Sequence, residues 1–291
     1  MTAVLHKITI FMEMIKFSHT IFALPFALSG ALLAIRGLPS GRQLLFIVLA
    51  MVGARTAAMA MNRLIDAEID ARNPRTAGRA IPAGLLSKGA VLFAILLSVA
   101  LLLWSAAMLN PLCLKLSPVA LFFLVLYSYC KRFTALAHVV LGICLAAAPI
   151  GAWVALTGTI QLPAIVLGLL VLFWVAGFDI LYALQDLDYD RSVGLHSIPV
   201  ALGVSGSLWL ARLFHLLTLV LLLWLIVLLG LGPWFWLGSG LMAAMLLYEH
   251  WLLRGGDLSK LDAAFFTMNG YISLTFLAAT AADVFWGGGN L

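Results

Sequence analysis

Apolar runs of about 20 residues recur along the entire chain, separated by short polar stretches. As helix, a run of that length matches the hydrocarbon thickness of a bilayer. The runs do not alternate polar and apolar residues, so strands are not expected. In lipid, backbone polar groups must also be satisfied within the segment, which favours helices. Of the 291 residues, 64% are hydrophobic and 10% are charged, outside the range of a soluble domain. The expected architecture is an all-α polytopic membrane protein.

Nine segments are expected, at 17–36, 43–65, 88–109, 112–130, 134–157, 163–185, 206–229, 233–253 and 262–286. Turn-forming residues mark several junctions, among them Asn110-Pro111, Gly232-Pro233 and Gly255-Gly256. No linker is long enough to divide the chain, so 1–291 reads as one domain. The N-terminal 16 residues are amphipathic and mixed, without a cleavable signal pattern.

Basic residues are shared unequally between the two sides. Lys7, Lys16, Arg72, Arg75, Arg79, Lys88, Lys131, Arg132, Arg191, Arg254 and Lys260 fall on one side, and Arg36, Arg42 and Lys115 on the other. The positive-inside bias then puts the N-terminus in the cytoplasm and the C-terminus outside, as in a bacterial inner membrane. The net charge of +5 is this loop bias and no signal for nucleic acid. Cys113, Cys130 and Cys144 lack metal-ligand spacing and read as small buried hydrophobes.

Against this background the acidic residues are concentrated. Seven of the twelve lie in two stretches, Asp66, Glu68 and Asp70 in one, and Asp179, Asp186, Asp188 and Asp190 in the other. Read as helix, Arg55, Asn62, Asp66 and Asp70 stay within roughly 80° of one another and form one polar stripe. Stacked carboxylates repel unless a cation lies between them. Mg²⁺ suits that place, because it takes oxygen ligands and shares them with substrate phosphates. A helix end whose acids face water is the competing reading, and Glu68 points away from the stripe, toward solvent or Arg72. Asp179, Tyr182, Asp186 and Asp190 form a second stripe of similar width, with Asp188 off it. Asp179 follows an apolar run closely enough that an unpartnered carboxylate there would be costly.

The two motifs lie four segments apart, share an orientation, and are each followed by a loop holding Ile-Pro (Ile81-Pro82, Ile198-Pro199). Such duplication often places a site between halves. Arg72, Arg75, Arg79, Lys131 and Arg132 fall on the same side as the acids. A diphosphate needs metal on some oxygens and Arg or Lys on others. Topology alone would also put Lys131 and Arg132 there. Tyr127, one turn before Lys131, reads as a cavity residue or an interfacial anchor.

These residues resemble a known family. Asn62-x3-Asp66-x3-Asp70 followed by Arg75-Thr76-x2-Arg79-x2-Pro82-x-Gly84 is similar to the first signature of the UbiA-type membrane prenyltransferases. Tyr182-Ala183-x-Gln185-Asp186-x3-Asp190 resembles the second. Tyr127 to Thr134 resembles the basic loop motif, with Cys130 where Thr is common. Ala264 to Gly270 resembles the last-helix segment of the 4-hydroxybenzoate polyprenyltransferase-like branch. Arg79-Ala80-Ile81-Pro82 departs from the more usual Arg-Pro-Leu-Pro, which reads as a branch difference.

The resemblance implies a nine-helix bundle with a central cavity capped on the cytoplasmic side. It implies transfer of a prenyl group from a polyprenyl diphosphate to an aromatic acceptor in ubiquinone or menaquinone biosynthesis. Asn62, Asp66, Asp186 and Asp190, assisted by Asp70, would hold Mg²⁺. Arg75, Arg79, Lys131 and Arg132 would bind the diphosphate, and Tyr182 or Phe178 would face the allylic cation. Asp179 or Tyr182 would orient the acceptor or take its proton. Arg55 would bind an acceptor carboxylate; an internal salt bridge, with Asp179 for instance, is the alternative. 4-Hydroxybenzoate and a dihydroxynaphthoate-type acid both carry such a carboxylate.

Two other classes were weighed. A secondary transporter predicts carboxylates near the midplane and broken helices. A CDP-alcohol phosphotransferase wants a single Asp-rich helix with Asp-Gly and Ala-Arg in one run, which the sequence lacks. His19, His138, His196, His215 and His250 show no ligand spacing and read as packed or interfacial. Arg212 and Glu249 read as snorkelling or paired near helix ends, Gly203 and Gly206 as turn residues, and the Trp and Phe residues as mainly lipid-facing.

Overall fold

The computed structural model describes residues 2–16, 23–254 and 267–287. Its helices are α1 (Thr2–Met14), α2 (Leu24–Ile35), α3 (Gly41–Ile65), the short α4 (Ala67–Arg72), α5 (Lys88–Leu109), α6 (Pro111–Cys130), α7 (Ala137–Thr157) and α8 (Leu162–Ala183). A 3₁₀ turn (Leu184–Asp186) leads into the short α9 (Leu187–Ser192), followed by α10 (Ile198–Leu229), α11 (Pro233–Leu252) and α12 (Asn269–Trp286). No strand occurs among the described residues.

Local chemistry sets the boundaries. Ser40 and Gln43 form a reciprocal capping box at the start of α3. Ser87 caps α5, and Ser197 caps α10. Asn110 caps α6 through Cys113 N–H at 2.9 Å, while its amide donates to the Val154 carbonyl of α7 at 2.7 Å. Capping matters more in lipid, where no water is available for the free N–H groups.

Among the described residues six segments are long and apolar enough to span a membrane: α3, α5, α6, α7, the run Leu162–Ser192 and α10. α2 is apolar but shorter. Six of the nine expected segments thus qualify by length and hydropathy, and α2, α11 and α12 stand at the other three. α11 ends in Glu249 and His250 and α12 carries Asp283, which dilutes their hydropathy. Residues 17–22 and 262–266 of the first and ninth expected segments lie outside the described residues, as do His19 and Ala264 to Phe266.

The long helices close a ring. α2 packs on α7, α7 on α8, α8 on α10, α10 on α11, α11 on α12, and α12 returns to α2. α3, α5 and α6 form a second group that joins through α6 on α7. Close crossings rest on small residues. A Cβ at Gly142 would lie 2.5 Å from the Leu172 carbonyl oxygen, and one at Gly53 would lie 2.7 Å from that of Ser98. Small residues let backbones approach where lipid supplies no hydrophobic drive for helix association.

Several sequence expectations change here. Segment 7 is preceded by a short helical stretch from Ile198, capped by Ser197, and Gly203 (φ 67°, ψ −176°) is a non-helical kink between that stretch and the long helix, in keeping with its reading as a turn residue. Many aromatics are core residues: Phe26, Trp174, Phe235 and Phe276 are fully buried, with Phe26 4.9 Å from Trp174 and 4.7 Å from Phe276 between ring centroids. Trp209, Trp236 and Trp286 do face outward. Glu249 does not snorkel; it is buried against α12, within hydrogen-bonding reach of Asn269. Arg212 covers the Trp209 ring at 5.3 Å. His215 is packed as expected, with Nδ1 2.9 Å from His250 Nε2.

Candidate functional site

The C-terminal ends of α3, α6 and α8 meet at one end of the bundle, and the two acidic motifs lie there. The sequence reading takes each motif as a continuous helix. Instead each breaks at its central aspartate: Asp66 (φ −90°, ψ 0°) closes α3, and Asp186 (φ −100°, ψ 4°) closes the 3₁₀ turn. Both lie in the sparsely populated bridge region, which often holds functional residues. Each is followed by a six-residue helix carrying the next acid, Asp70 in α4 and Asp190 in α9. Asp66 N–H still donates to the Asn62 carbonyl at 2.9 Å, and Asp70 N–H to that of Asp66 at 2.8 Å, so the turn-by-turn stacking survives the bend.

The acids of the first motif are not solvated. Asp66 is 2% exposed and Asp70 4%, which rejects the reading of a helix end facing water. Glu68 is exposed, as expected.

Asp66, Asp70 and Asp186 each meet a base. Lys131 Nζ lies 2.7 Å from Asp66 Oδ2, and Arg132 Nη2 lies 3.0 Å from Asp66 Oδ1. Arg79 Nη1 donates to both oxygens of Asp70 at 2.7 Å. Arg75 Nε donates to Asp186 Oδ1 at 2.9 Å, and its Nη2 pairs with Oδ2. Asn62 Nδ2 donates to Asp66 Oδ2 at 3.0 Å. Burial opposes the charge on Arg75, but the hydrogen bonds and charge of Asp186 outweigh it and hold its pKa above the ordinary arginine value.

The pairing crosses between the two halves. Asp186 of the second motif is held by Arg75 from the loop of the first, and Asn73 of that loop also donates to it at 3.3 Å. Tyr189 Oη donates to the Ile69 carbonyl at 3.0 Å, which fastens α9 to α4. His196 N–H donates to the Lys131 carbonyl at 2.7 Å, which anchors the basic loop. Arg132 also donates to the carbonyls of Ser128 (2.7 Å) and Ile65 (2.9 Å).

The deeper residues are arranged differently from the sequence reading. Asp179 pairs with His138, Oδ2 to Nδ1 at 2.7 Å, and not with Arg55. Arg55 Nη2 donates to the Lys16 carbonyl at 3.2 Å, and its Nε is buried with no hydrogen-bond partner among the described residues. Tyr127 lies within electrostatic reach of Asp179, Asp66 and Arg63. Tyr182 lies against Arg75, and Asp190 within reach of Asp186 and Lys131.

Sequence reasoning missed four participants. His138 was set aside because no spacing relates it to Asp179; only the α7–α8 packing brings them together. Asn73 sits before a proline and reads as a turn residue, which it also is, accepting from Arg75 N–H at 2.9 Å. Tyr189 is hidden within an acidic run. Arg63, beside Asn62, has no acid partner among the described residues and donates weakly to Asn62 Oδ1 at 3.4 Å.

The donor set of the two motifs is oxygen only, the chemistry of a hard cation. Among the described residues no three acidic, histidine or cysteine side chains converge on one point. That is compatible with Mg²⁺, which is commonly held by one or two carboxylates plus substrate phosphates and not by an all-protein cage. Asp66 Oδ1 is buried and, among the described residues, receives no well-directed hydrogen bond, since Arg132 Nη2 at 3.0 Å donates to the Ile65 carbonyl; it has capacity left for such a ligand.

Several known proteins are similar to this chain. Residues 23–271 match the model of the UbiA prenyltransferase family. A 4-hydroxybenzoate octaprenyltransferase of Vibrio cholerae is 32% identical over 257 residues, covering 87% of this chain and 88% of that one. The enzyme of the same name from Idiomarina loihiensis is 30% identical, covering 86% and 87%. The apo structure of a UbiA homolog from Aeropyrum pernix K1 superposes with a TM-score of 0.84 at 33% identity, covering 91% of this chain and 98% of that one. A UbiA homolog from Archaeoglobus fulgidus, bound to DMAPP and Mg²⁺, shares the fold with a TM-score of 0.75 at 19% identity, covering 94% and 98%. With its paired motifs, its helical membrane fold and a match across most of its length, this chain belongs to the UbiA prenyltransferase family.

Proposed function

We propose that this protein transfers a polyprenyl group from a polyprenyl diphosphate to an aromatic acid in quinone biosynthesis. The cross-linked cluster of Asp66, Asp70 and Asp186 with Lys131, Arg132, Arg79 and Arg75 carries this reading. In the structure these acids and bases neutralise one another. A divalent cation and a diphosphate arriving together can replace each partner with a ligand of the same sign, so the buried charges stay compensated throughout.

Asn62, Asp66, Asp70, Asp186 and Asp190 are the residues that would hold Mg²⁺, which when bound neutralises charge on the departing diphosphate. The Mg²⁺ in the Archaeoglobus homolog supports that assignment. Arg75, Arg79, Lys131 and Arg132 then turn to the diphosphate and stabilise the leaving group where negative charge develops. Tyr182 and Phe178 offer aromatic faces to the allylic carbon as it becomes cationic. The surrounding bundle keeps water from that carbon. Arg55, with its unpartnered buried Nε, binds the acceptor carboxylate, and Asp179 the acceptor hydroxyl.

The names of the Vibrio and Idiomarina relatives support 4-hydroxybenzoate as acceptor. A dihydroxynaphthoate offers the same two handles, a carboxylate and a ring hydroxyl. The cluster end of the bundle, richer in Lys and Arg, is assigned to the cytoplasm of a bacterial inner membrane, with the N-terminus inside and the C-terminus outside.

The test is transfer of a radiolabelled prenyl chain in membranes from cells expressing the protein. 4-Hydroxybenzoate and 1,4-dihydroxy-6-naphthoate are offered separately, with Mg²⁺ present or chelated. A prenylated product from one acceptor, lost on chelation and restored by Mg²⁺, is expected. No product from either, with membrane insertion confirmed, would reject the assignment.

A further inference from the structure

His138 stands at the start of α7 and Asp179 near the end of α8, joined at 2.7 Å. Their side chains differ in access: His138 is 5% exposed and Asp179 16%. Asp179 is thus the more accessible of the two, with its Oδ2 engaged by His138. With Nδ1–H donating to Asp179, His138 Nε2, buried and without a partner among the described residues, carries only a lone pair. An unsatisfied acceptor is tolerated more readily than an orphaned N–H, so this tautomer fits the site. The pair lies next to the acid–base cluster, since Tyr127 feels both Asp179 and Asp66, and Asp190 feels His138. Asp179 lies in the last turns of α8, seven residues before Asp186 and about 10 Å from it along the chain direction.

We propose that Asp179, aimed by His138, accepts the hydroxyl proton of the aromatic acceptor, and that His138 is thereby a positioning residue for prenyl transfer. The proposal rests on the aromatic acceptor reading given above. The acceptor O–H bond breaks as its proton passes to Asp179, which raises electron density at the ring carbon next to the oxygen. That carbon bonds to the allylic carbon while the C–O bond to diphosphate breaks and its electron pair leaves with the diphosphate. The ring, now a dienone, loses its extra hydrogen as a proton to the diphosphate. The oxygen then recovers a proton from Asp179. Asp179 ends as it began, and no oxidant or reductant is consumed.

His138 contributes by fixing one carboxylate oxygen, so that the other meets the hydroxyl in one orientation. Proton transfer to a positioned group contributes typically about 10²–10⁴-fold. Of the carboxylates in the acid motifs, Asp66, Asp70 and Asp186 are engaged with cations and Asp190 is assigned above to the Mg²⁺-holding set, which leaves Asp179 for this role.

The experiment compares the wild-type chain with Asp179→Asn, His138→Gln and His138→Phe in membranes. 4-Hydroxybenzoate is set against ring-fluorinated analogues whose hydroxyl is progressively ionised in solution. The quantity read is each variant's rate with an analogue divided by its rate with 4-hydroxybenzoate, relative to the same ratio for wild type. Folded fraction and ring reactivity cancel in that ratio. Asp179→Asn should lose about 10²–10⁴-fold with 4-hydroxybenzoate and progressively less with the ionised analogues. His138→Phe should follow the same trend, and His138→Gln, which keeps an N–H of similar reach, should fall between it and wild type. His138→Gln also carries the test where the larger changes prevent folding. A ratio unchanged across the series would show that the pair is structural only and overturn the proposal. Absence of transfer by the wild-type chain would instead overturn the acceptor reading beneath it.

Discussion

Arg75 and Asp186 are 111 positions apart, and their side chains form a two-point pair, with Nε donating to Oδ1 at 2.9 Å. One belongs to the loop of the first motif and the other to the second motif. The pair therefore couples the two halves of the chain at the acidic end of the bundle. If Arg75 exchanges this carboxylate for the donor's diphosphate, Arg75→Ala should lower transfer by about 10²–10³-fold, the usual loss for one well-placed electrostatic contact. Asp186→Ala and Asp66→Ala should abolish transfer, with the protein still folded in detergent. Rates with labelled donor and detergent melting curves check all three. Full activity in either aspartate variant would remove the metal assignment.

Lys131 and Arg132 both face Asp66 but should separate on mutation. Arg132 also holds the carbonyls of Ser128 and Ile65, whereas Lys131 makes no further contact of that kind. Arg132→Met should cost stability, about 1.5–3 kcal/mol for hydrogen bonds to a charged group. Lys131→Met should leave the melting temperature nearly unchanged and raise the KM for the donor. Equal losses of stability in both would show that Asp66 alone sets the effect.

The fold class was legible because periodicity and length act locally: a 20-residue apolar run states its own solvent. The acids of the site were legible too, since Asn62, Asp66 and Asp70 recur at turn spacing. What could not be read was pairing across helices. His138 has no sequence relation to Asp179, and Arg75 none to Asp186; α7–α8 packing and the α4–α9 contact create both. The breaks at Asp66 and Asp186 were also hidden, because the four-residue spacing continues through the bend. Glu249 left two readings open, snorkelling or pairing, for a related reason: a helix-end position does not reveal that α12 covers it and brings Asn269 to it.

Helix proximity makes a separate prediction about folding. Gly142 leaves no room for a side chain against the Leu172 carbonyl, 2.5 Å from where a Cβ would sit. Gly142→Val must push α7 and α8 apart, and overpacking of this kind costs about 1–3 kcal/mol. The same helices present His138 and Asp179, so the pair should also lose alignment. Denaturation in mixed micelles together with transfer rates measures both. Wild-type stability would mean that the crossing relaxes without strain.

Arg55 offers the clearest separation of acceptor from donor. Its guanidinium lies in α3 and has no ion-pair partner among the described residues; one nitrogen reaches the Lys16 carbonyl and Nε reaches nothing. A buried, uncompensated guanidinium is costly, and an incoming carboxylate relieves that cost with a bidentate contact. Arg55→Ala should therefore raise the acceptor KM by about 10–100-fold, equivalent to about 1.4–2.8 kcal/mol, while the donor KM changes little. Arg55→Lys should recover only part, because a point charge cannot make the two-pronged contact. An acceptor in which the carboxylate is replaced by a neutral amide should bind wild type and Arg55→Ala alike. If Arg55→Ala instead raises the donor KM alone, the residue belongs with Arg75 and Arg79 at the diphosphate, and the carboxylate must be met elsewhere.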